Sequence, residues 1–126
     1  MSLSSLSVIE LSKKLKKGEI KSEELVKSYI EQINKKDKQI EAWEFFEPDL
    51  AISQAKKLDA DRQAGKVQGD LHGIPVGIKD IFDTEDMPTL DGSEAHKKNP
   101  SLNDCTVVSK LKQAGAIIMG KTVTAE

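Results

Sequence analysis

Leu71-His72-Gly73-Ile74-Pro75-Val76-Gly77-Ile78-Lys79-Asp80-Ile81-Phe82 carries a single lysine inside an apolar run. Residues 74–82 of it read as a β-strand. Ile74 precedes a proline and so takes an extended backbone. Pro75 points to the start of a strand or to an edge strand. Alternation puts Lys79 on one side with Gly77 and Ile81, and Val76, Ile78, Asp80 and Phe82 on the other. Gly77 leaves space beside the lysine stem, or lets another backbone approach. Apolar residues occur on both sides, so this strand needs neighbours and cover on both faces.

Two readings of Lys79 follow from spacing alone. In one it is a general base or proton shuttle. Bringing a lysine from ~10.4 to ~7 requires ~4.6 kcal/mol in favour of the neutral form, from burial or nearby donors. In the other it is an edge-strand lysine that reaches water, or pairs with Asp80 or Asp83. Edge lysines are common, and spacing by itself favours the second reading.

Toward the N-terminus the pattern is helical. Ser7-Val8-Ile9-Glu10 is a capping box with Ser7 as N-cap and Glu10 at N3. Val8, Leu11 and Leu15 share a face, and Gly18 ends the helix. A second helix is expected after Ser22, with the stripe Leu25, Val26, Tyr29, Ile30 and Ile33. Residues 42–46 form a short strand candidate. Pro48 then suits the first turn of a third helix that runs to Ala64 and stops at Gly65, with Ala51, Ala55 and Leu58 on its narrow inner face.

Toward the C-terminus, residues 66–70 are a polar loop and residues 83–102 a long, turn-rich one. A loop of about that length is usually functional, or else hides an element of its own. Asn103 or Asp104 is expected to cap a fourth helix with Val107, Val108, Leu111 and Ala114 inward. Gly115 ends it, and residues 116–119 form a short buried strand. Helices and strands alternate in this half, which predicts an α/β layer structure. Three strand candidates make a small sheet, so the domain is expected to be incomplete in this chain.

Composition bounds the function. The 126 residues, 37% hydrophobic and 32% charged, suit a soluble globular fold, and no apolar run approaches the ~20 residues of a membrane helix. A net charge of −2 argues against nucleic acid as a direct partner. The lysine clusters Lys13, Lys14, Lys16, Lys17 and Lys35, Lys36, Lys38 lie near predicted helix ends, where they favour the helix dipole and stay solvated. The N-terminus lacks the order of a signal peptide, and the single cysteine, Cys105, excludes an intrachain disulfide. A cytoplasmic protein is expected.

Three familiar sites are rejected. Gly115-Ala116-Ile117-Ile118-Met119-Gly120-Lys121-Thr122 satisfies the P-loop pattern, but a helix precedes Gly115 and the apolar filling is itself a strand. His72, His96 and Cys105 have spacings that match no compact zinc pair, so no metal and no cofactor is expected. No serine sits in a nucleophile elbow, and Ser93 after Asp91-Gly92 reads as a turn residue.

The stretch Leu71-His72-Gly73-Ile74-Pro75-Val76-Gly77-Ile78-Lys79-Asp80 closely resembles the amidase signature family. Asp83-Thr84, Met87-Pro88-Thr89 and Gly92-Ser93 resemble the continuation of that motif. Asp104 to Thr122 is similar to the family's D-[AC]-x-V-V-x-x-L-x-x-A-G-A-[IV]-[IL]-x-G-K-T segment, and Thr124-Ala125-Glu126 to the opening of T-x-E-F. Gly18-Glu19-Ile20 and Ser22-Glu23-Glu24-Leu25 fit its N-terminal pattern, so the resemblance covers nearly the whole chain.

The resemblance implies an α/β/α fold with a mixed central sheet covered by helices. It implies a Ser-cisSer-Lys triad in which Lys79 is the lysine, acting on a second serine that relays protons to the nucleophile. The expected reaction is hydrolysis of a carboxamide to an acid plus ammonia or an amine. The Gly/Ser-rich segment that supplies both serines lies downstream of this chain in the family. Residues 1–126 are therefore expected to be the N-terminal part of one amidase domain, mainly helical over 1–65 and strand-loop-helix-strand over 66–126, and inactive alone. Expected partners are a small-molecule amide substrate and either further copies of the chain or the C-terminal remainder of the domain, with no membrane or direct nucleic-acid contact. The alternatives are the amidase subunit of a tRNA-dependent amidotransferase and a non-catalytic assembly module.

Overall fold

The structure, a computed structural model, describes residues 2–93 and 101–125. After a single 3-10 turn at Leu3–Ser5, the elements are α1 (Val8–Lys16), α2 (Ser22–Ile40), β1 (Trp43–Phe46), α3 (Pro48–Gln63), β2 (Pro75–Lys79), α4 (Thr106–Gln113) and β3 (Ile117–Thr122). The sheet has the order β1-β3-β2. β3 runs antiparallel to β1 and parallel to β2, so the sheet is mixed, as expected.

β3 is the axis of the core. Ile117 and Met119 face α2 and α3, where they meet Val26, Ala51, Ala55 and Leu58. Ile118 faces the other way, toward Ile78, Met87 and Val108 of α4. The small residues Ala51 and Ala55 let α3 lie close to the sheet. Gln54 of α3 uses that closeness: its amide accepts from Ile118 N at 3.1 Å and donates to Ile118 O at 3.2 Å. It thereby satisfies strand groups that β1 does not reach. A third cluster packs Leu11 and Leu15 of α1 against Leu25 and Ile74.

Two bulges set which side chains face which layer. Val76 pairs with Ile118 but Gly77 with Gly120, so Met119 is an extra residue on β3. Trp43 pairs with Thr122 but Phe45 with Lys121, so Glu44 is an extra residue on β1. Past these bulges Lys121 shares a face with Ile78 and Phe45. Strict alternation from Ile117 and Met119 would have put it on the opposite face.

Several local expectations hold. The Ser7 capping box forms in both directions, at 3.2 Å to Glu10 N and 2.8 Å from Ser7 N. Gly18 and Gly65 follow α1 and α3 with positive φ, and Pro48 opens α3. Asp91 and Gly92 turn the chain with positive φ, and Ser93 N donates to Leu90 O at 3.0 Å.

Others are corrected. β2 ends at Lys79, because Phe82 N turns back to Lys79 O at 3.1 Å; residues 80–82 form a turn and not strand. β3 extends through Thr122, three residues past the expected end, because Lys121 is buried within it. Cys105, not Asn103 or Asp104, is the N-cap of α4, and Val107 is 49% exposed while Val108 is fully buried. Val8 is likewise 52% exposed, outside the buried face of α1.

α2 includes Ser22 and starts one residue earlier than expected, with Lys21 at the N-cap. Its cap comes from another helix. Asp59 of α3 accepts from Ser22 N at 2.7 Å and from Glu23 N at 3.0 Å, which ties the two helices end to side. Asp59→Ala is expected to destabilise the fold by about 1–2 kcal/mol, read from urea denaturation, as for loss of a helix cap. An unchanged midpoint would rule out this cap as a contributor.

Candidate active site

Lys79 is the last residue of β2 and pairs with Thr122 of the parallel β3. It therefore lies at the carboxyl end of a parallel strand pair, where open α/β sheets bind their ligands. The alternation holds, with Gly77, Lys79 and Ile81 exposed and Ile78 and Asp80 buried, but the cover expected on both faces is present on one only among the described residues. β2 is an edge strand among the described residues. The Lys79 side chain makes no ion pair or hydrogen bond with any described residue. Neither of its expected carboxylate partners is available to it. Asp80 is held by Lys121, and Asp83 accepts from Ser101 Oγ at 3.0 Å.

Gly77 is explained by a ring and not by a backbone. A Cβ there would lie 3.1 Å from Trp43 Cη2 and 3.2 Å from Thr122 Cγ2. The same indole covers Gly120, whose Cβ would lie 3.1 Å from Trp43 Cε3. Trp43 thus floors an apolar groove that reaches from Tyr29 and Ile33 of α2 to Pro75 and Gly77 of β2.

Behind Lys79, on the opposite face, stands a buried polar cluster that sequence reasoning missed. Lys121 is 0% exposed and Asp80 1% exposed, and their charged atoms are 3.3 Å apart. Lys121 Nζ donates to Thr89 Oγ1 at 2.8 Å, Thr84 Oγ1 at 3.2 Å and Pro88 O at 3.2 Å. Its three protons thus meet three acceptors beside one carboxylate, which is what a buried ammonium requires. The Asp80 carboxylate also accepts from Leu90 N at 3.2 Å, while its backbone N donates to Thr122 O and its O accepts from Asp91 N. Met87 and Leu90 are buried around this cluster. The loop after β2 is therefore folded onto the sheet by one ammonium and one carboxylate.

A second, more exposed clip holds the same loop to α4. Lys112 Nζ lies 2.8 Å from Asp104 and 3.3 Å from Asp86, and Asp104 also accepts from Glu85 N at 2.9 Å. Burial pushes the Asp104 carboxyl upward, but the hydrogen bonds from Lys112 and Glu85 N outweigh it and hold the group below its ordinary value. Burial likewise lowers Lys112, and its bonds to Asp104 and Asp86 outweigh this and raise it.

The remaining candidates are structural. His72 is buried, with Nδ1 accepting from Gln68 N at 3.1 Å and Nε2 therefore donating to Leu58 O at 2.8 Å. Gly115, at φ +91°, lies against it so closely that a Cβ would come within 2.5 Å of His72 Cα. Cys105 is a partly buried helix cap. His96 and Glu126 lie outside the described residues. Among the described residues no three His, Cys, Asp or Glu side chains gather as metal ligands, and no helix is long and apolar enough to cross a membrane. The P-loop pattern is strand: residues 117–122 lie in β3, with Gly120 and Lys121 both in the ladder.

A profile of the Amidase family matches residues 24–126. The chain belongs to the Amidase family. It is 40% identical over 117 residues to a glutamyl-tRNA(Gln) amidotransferase subunit of Thermobifida fusca, covering 93% of this chain and 24% of that protein. It is 37% identical over 125 residues to an amidase of Pseudomonas putida, covering 99% of this chain and 26% of that one. Among solved structures, the native peptide amidase of Stenotrophomonas maltophilia superposes with a TM-score of 0.87 at 32% identity, over 94% of this chain and 24% of that chain. This amidase chain thus spans about a quarter of the length of these relatives.

The signal that could have found Lys121 was the lysine of Gly120-Lys121-Thr122 following an apolar strand. Lys121→Met is expected to destabilise this amidase chain by about 3–5 kcal/mol, because Asp80 would be left buried without a counter-charge. Calorimetric or urea unfolding checks it, and Lys121→Met/Asp80→Asn should recover much of the loss. For Asp104, a lowered carboxyl stabilises the clip above its ordinary value of 3.8 and stops doing so as pH falls through the folded value. Asp104→Asn should accordingly abolish that part of the acid sensitivity, read as hydrogen exchange in residues 83–90 on acidification.

Proposed function

We propose that residues 1–126 form the N-terminal part of a single amidase domain in a cytoplasmic amide hydrolase, and that Lys79 is the base of its Ser-cisSer-Lys triad. On this reading the rest of the protein supplies both serines. The neutral Lys79 amine takes a proton from the second serine, which takes one from the nucleophilic serine. The nucleophile attacks the carboxamide carbon, the C–N bond breaks, and the proton passes to the departing ammonia or amine. Water then hydrolyses the acyl-enzyme by the same relay, which restores the lysine.

One observation carries the assignment. Lys79 presents its side chain at the carboxyl end of β2, and the adjacent carboxylate is engaged elsewhere. A lysine paired with Asp80 would be held as ammonium and could accept no proton. Family membership supports the reaction class, and a small-molecule carboxamide is the substrate that follows from it. A second reading is favoured by the 40% identity to a protein of the amidotransferase. On that reading the released ammonia passes not to solvent but to a partner protein.

Lys79→Met in the full-length protein is expected to lower amide hydrolysis by about 10²–10⁴-fold, the usual contribution of a general base. A cooperative thermal unfolding transition retained in that variant shows that the loss lies in chemistry and not in folding. Hydrolysis at the wild-type rate in that variant would overturn the assignment. Amide hydrolysis that rises on adding a partner protein, with the ammonia captured by that partner, would select the amidotransferase reading.

A further inference from the structure

The proposed base and the buried cluster occupy consecutive residues. Lys79 faces out and Asp80 faces in. Asp80 is the charged residue that adjoins Lys79 in the chain. The strand packed against β2 is β3, and its single charged residue is Lys121. In the turn that follows, Asp83 is occupied by Ser101 and Asp91 is linked through its backbone to Asp80. From α2, Tyr29 lines the groove beside Gly77, and β1 contributes the exposed Glu44. Of these groups, Asp80 and Lys121 are the buried ones, and burial is what keeps their charges unscreened by solvent.

Resting on the reading of Lys79 as the base, we infer that Lys121 is a positioning residue for Lys79. By neutralising Asp80 and tying residues 80–90 to β3, it fixes the end of β2 and keeps the adjoining carboxylate from becoming the counter-ion of Lys79. Lys121 touches neither Lys79 nor the exposed face of the sheet. It acts through Asp80, whose backbone N bonds Thr122 O, the strand partner of Lys79, at 2.9 Å. Sequestering that carboxylate matters because an uncompensated anion favours the ammonium form of a nearby lysine, and a general base must give up that form.

The test uses the full-length enzyme and the acid limb of its kcat/KM–pH profile, which reports the free base. Lys121→Met should lower kcat by about tenfold or more with KM little changed, and should move the acid limb up by roughly 0.5–1 pH unit, the order of effect of one uncompensated nearby charge. Asp80→Asn leaves Lys121 as an uncompensated cation and should move the limb down. Lys121→Met/Asp80→Asn should return it to the wild-type position. A merely structural pair would reduce the active fraction without moving either limb, and unshifted limbs overturn the inference. If Lys121→Met does not accumulate folded, the direction of the Asp80→Asn shift decides alone. Lys79→Met is the reference. Activity that survives it overturns the base assignment and this inference together. An inactive Lys79→Met beside unshifted limbs overturns this inference only.

Discussion

A charged ammonium buried at the centre of a sheet demands compensation, and the path of the chain after β2 follows from that demand. Lys121 enters the core on β3 at 0% exposure. Leaving it unpaired would cost several kcal/mol, so a carboxylate and three further acceptors must close around it. Asp80 supplies the charge, and Thr84, Pro88 and Thr89 supply the acceptors. All four belong to the loop that directly follows β2, so that loop must fold back across the end of the sheet. The polar cluster thereby defines the strand end on which Lys79 stands.

The bulge at Met119 makes this geometry available. One extra residue on β3 turns Lys121 away from the α2 and α3 layer and toward the face of Ile78 and Ile118. On the α2 side the same shift leaves Gly120 and Thr122 beside Gly77 and Lys79, with the Trp43 ring laid over both glycines. A single irregularity thus separates a dry polar cluster on one face from an apolar groove and an exposed lysine on the other. Bulges are frequent beside functional sites for this reason: they re-aim side chains without lengthening a strand.

The helical layer is tied together by side chains that do the work of backbone. Asp59 supplies the missing cap of α2, and Gln54 completes the hydrogen bonds of Ile118. Both come from α3, the helix whose inner face is small enough to approach the sheet. Nothing local marks either residue. An aspartate or glutamine on a helix that is polar over most of its surface looks the same whether it faces water or a neighbouring element.

The sequence by itself determined the order and type of the elements, the grouping of Gly77, Lys79 and Ile81 on one side of the chain, the rejection of a nucleotide loop, and the resemblance that family membership bears out. These rest on local physics: proline and glycine punctuation, the Ser7 capping box, and the two hydrophobic periods. Tertiary structure decided the rest. It ended β2 at Lys79, carried β3 through Lys121, moved the cap of α4 to Cys105, and took Asp80 from Lys79 to give it to Lys121. Asp80 and Lys121 are 41 residues apart in the chain and come together only because β2 and β3 pair in parallel across a bulge. A charge partner at that distance has no periodicity to betray it. Only the register of the sheet chooses which carboxylate a buried lysine will meet.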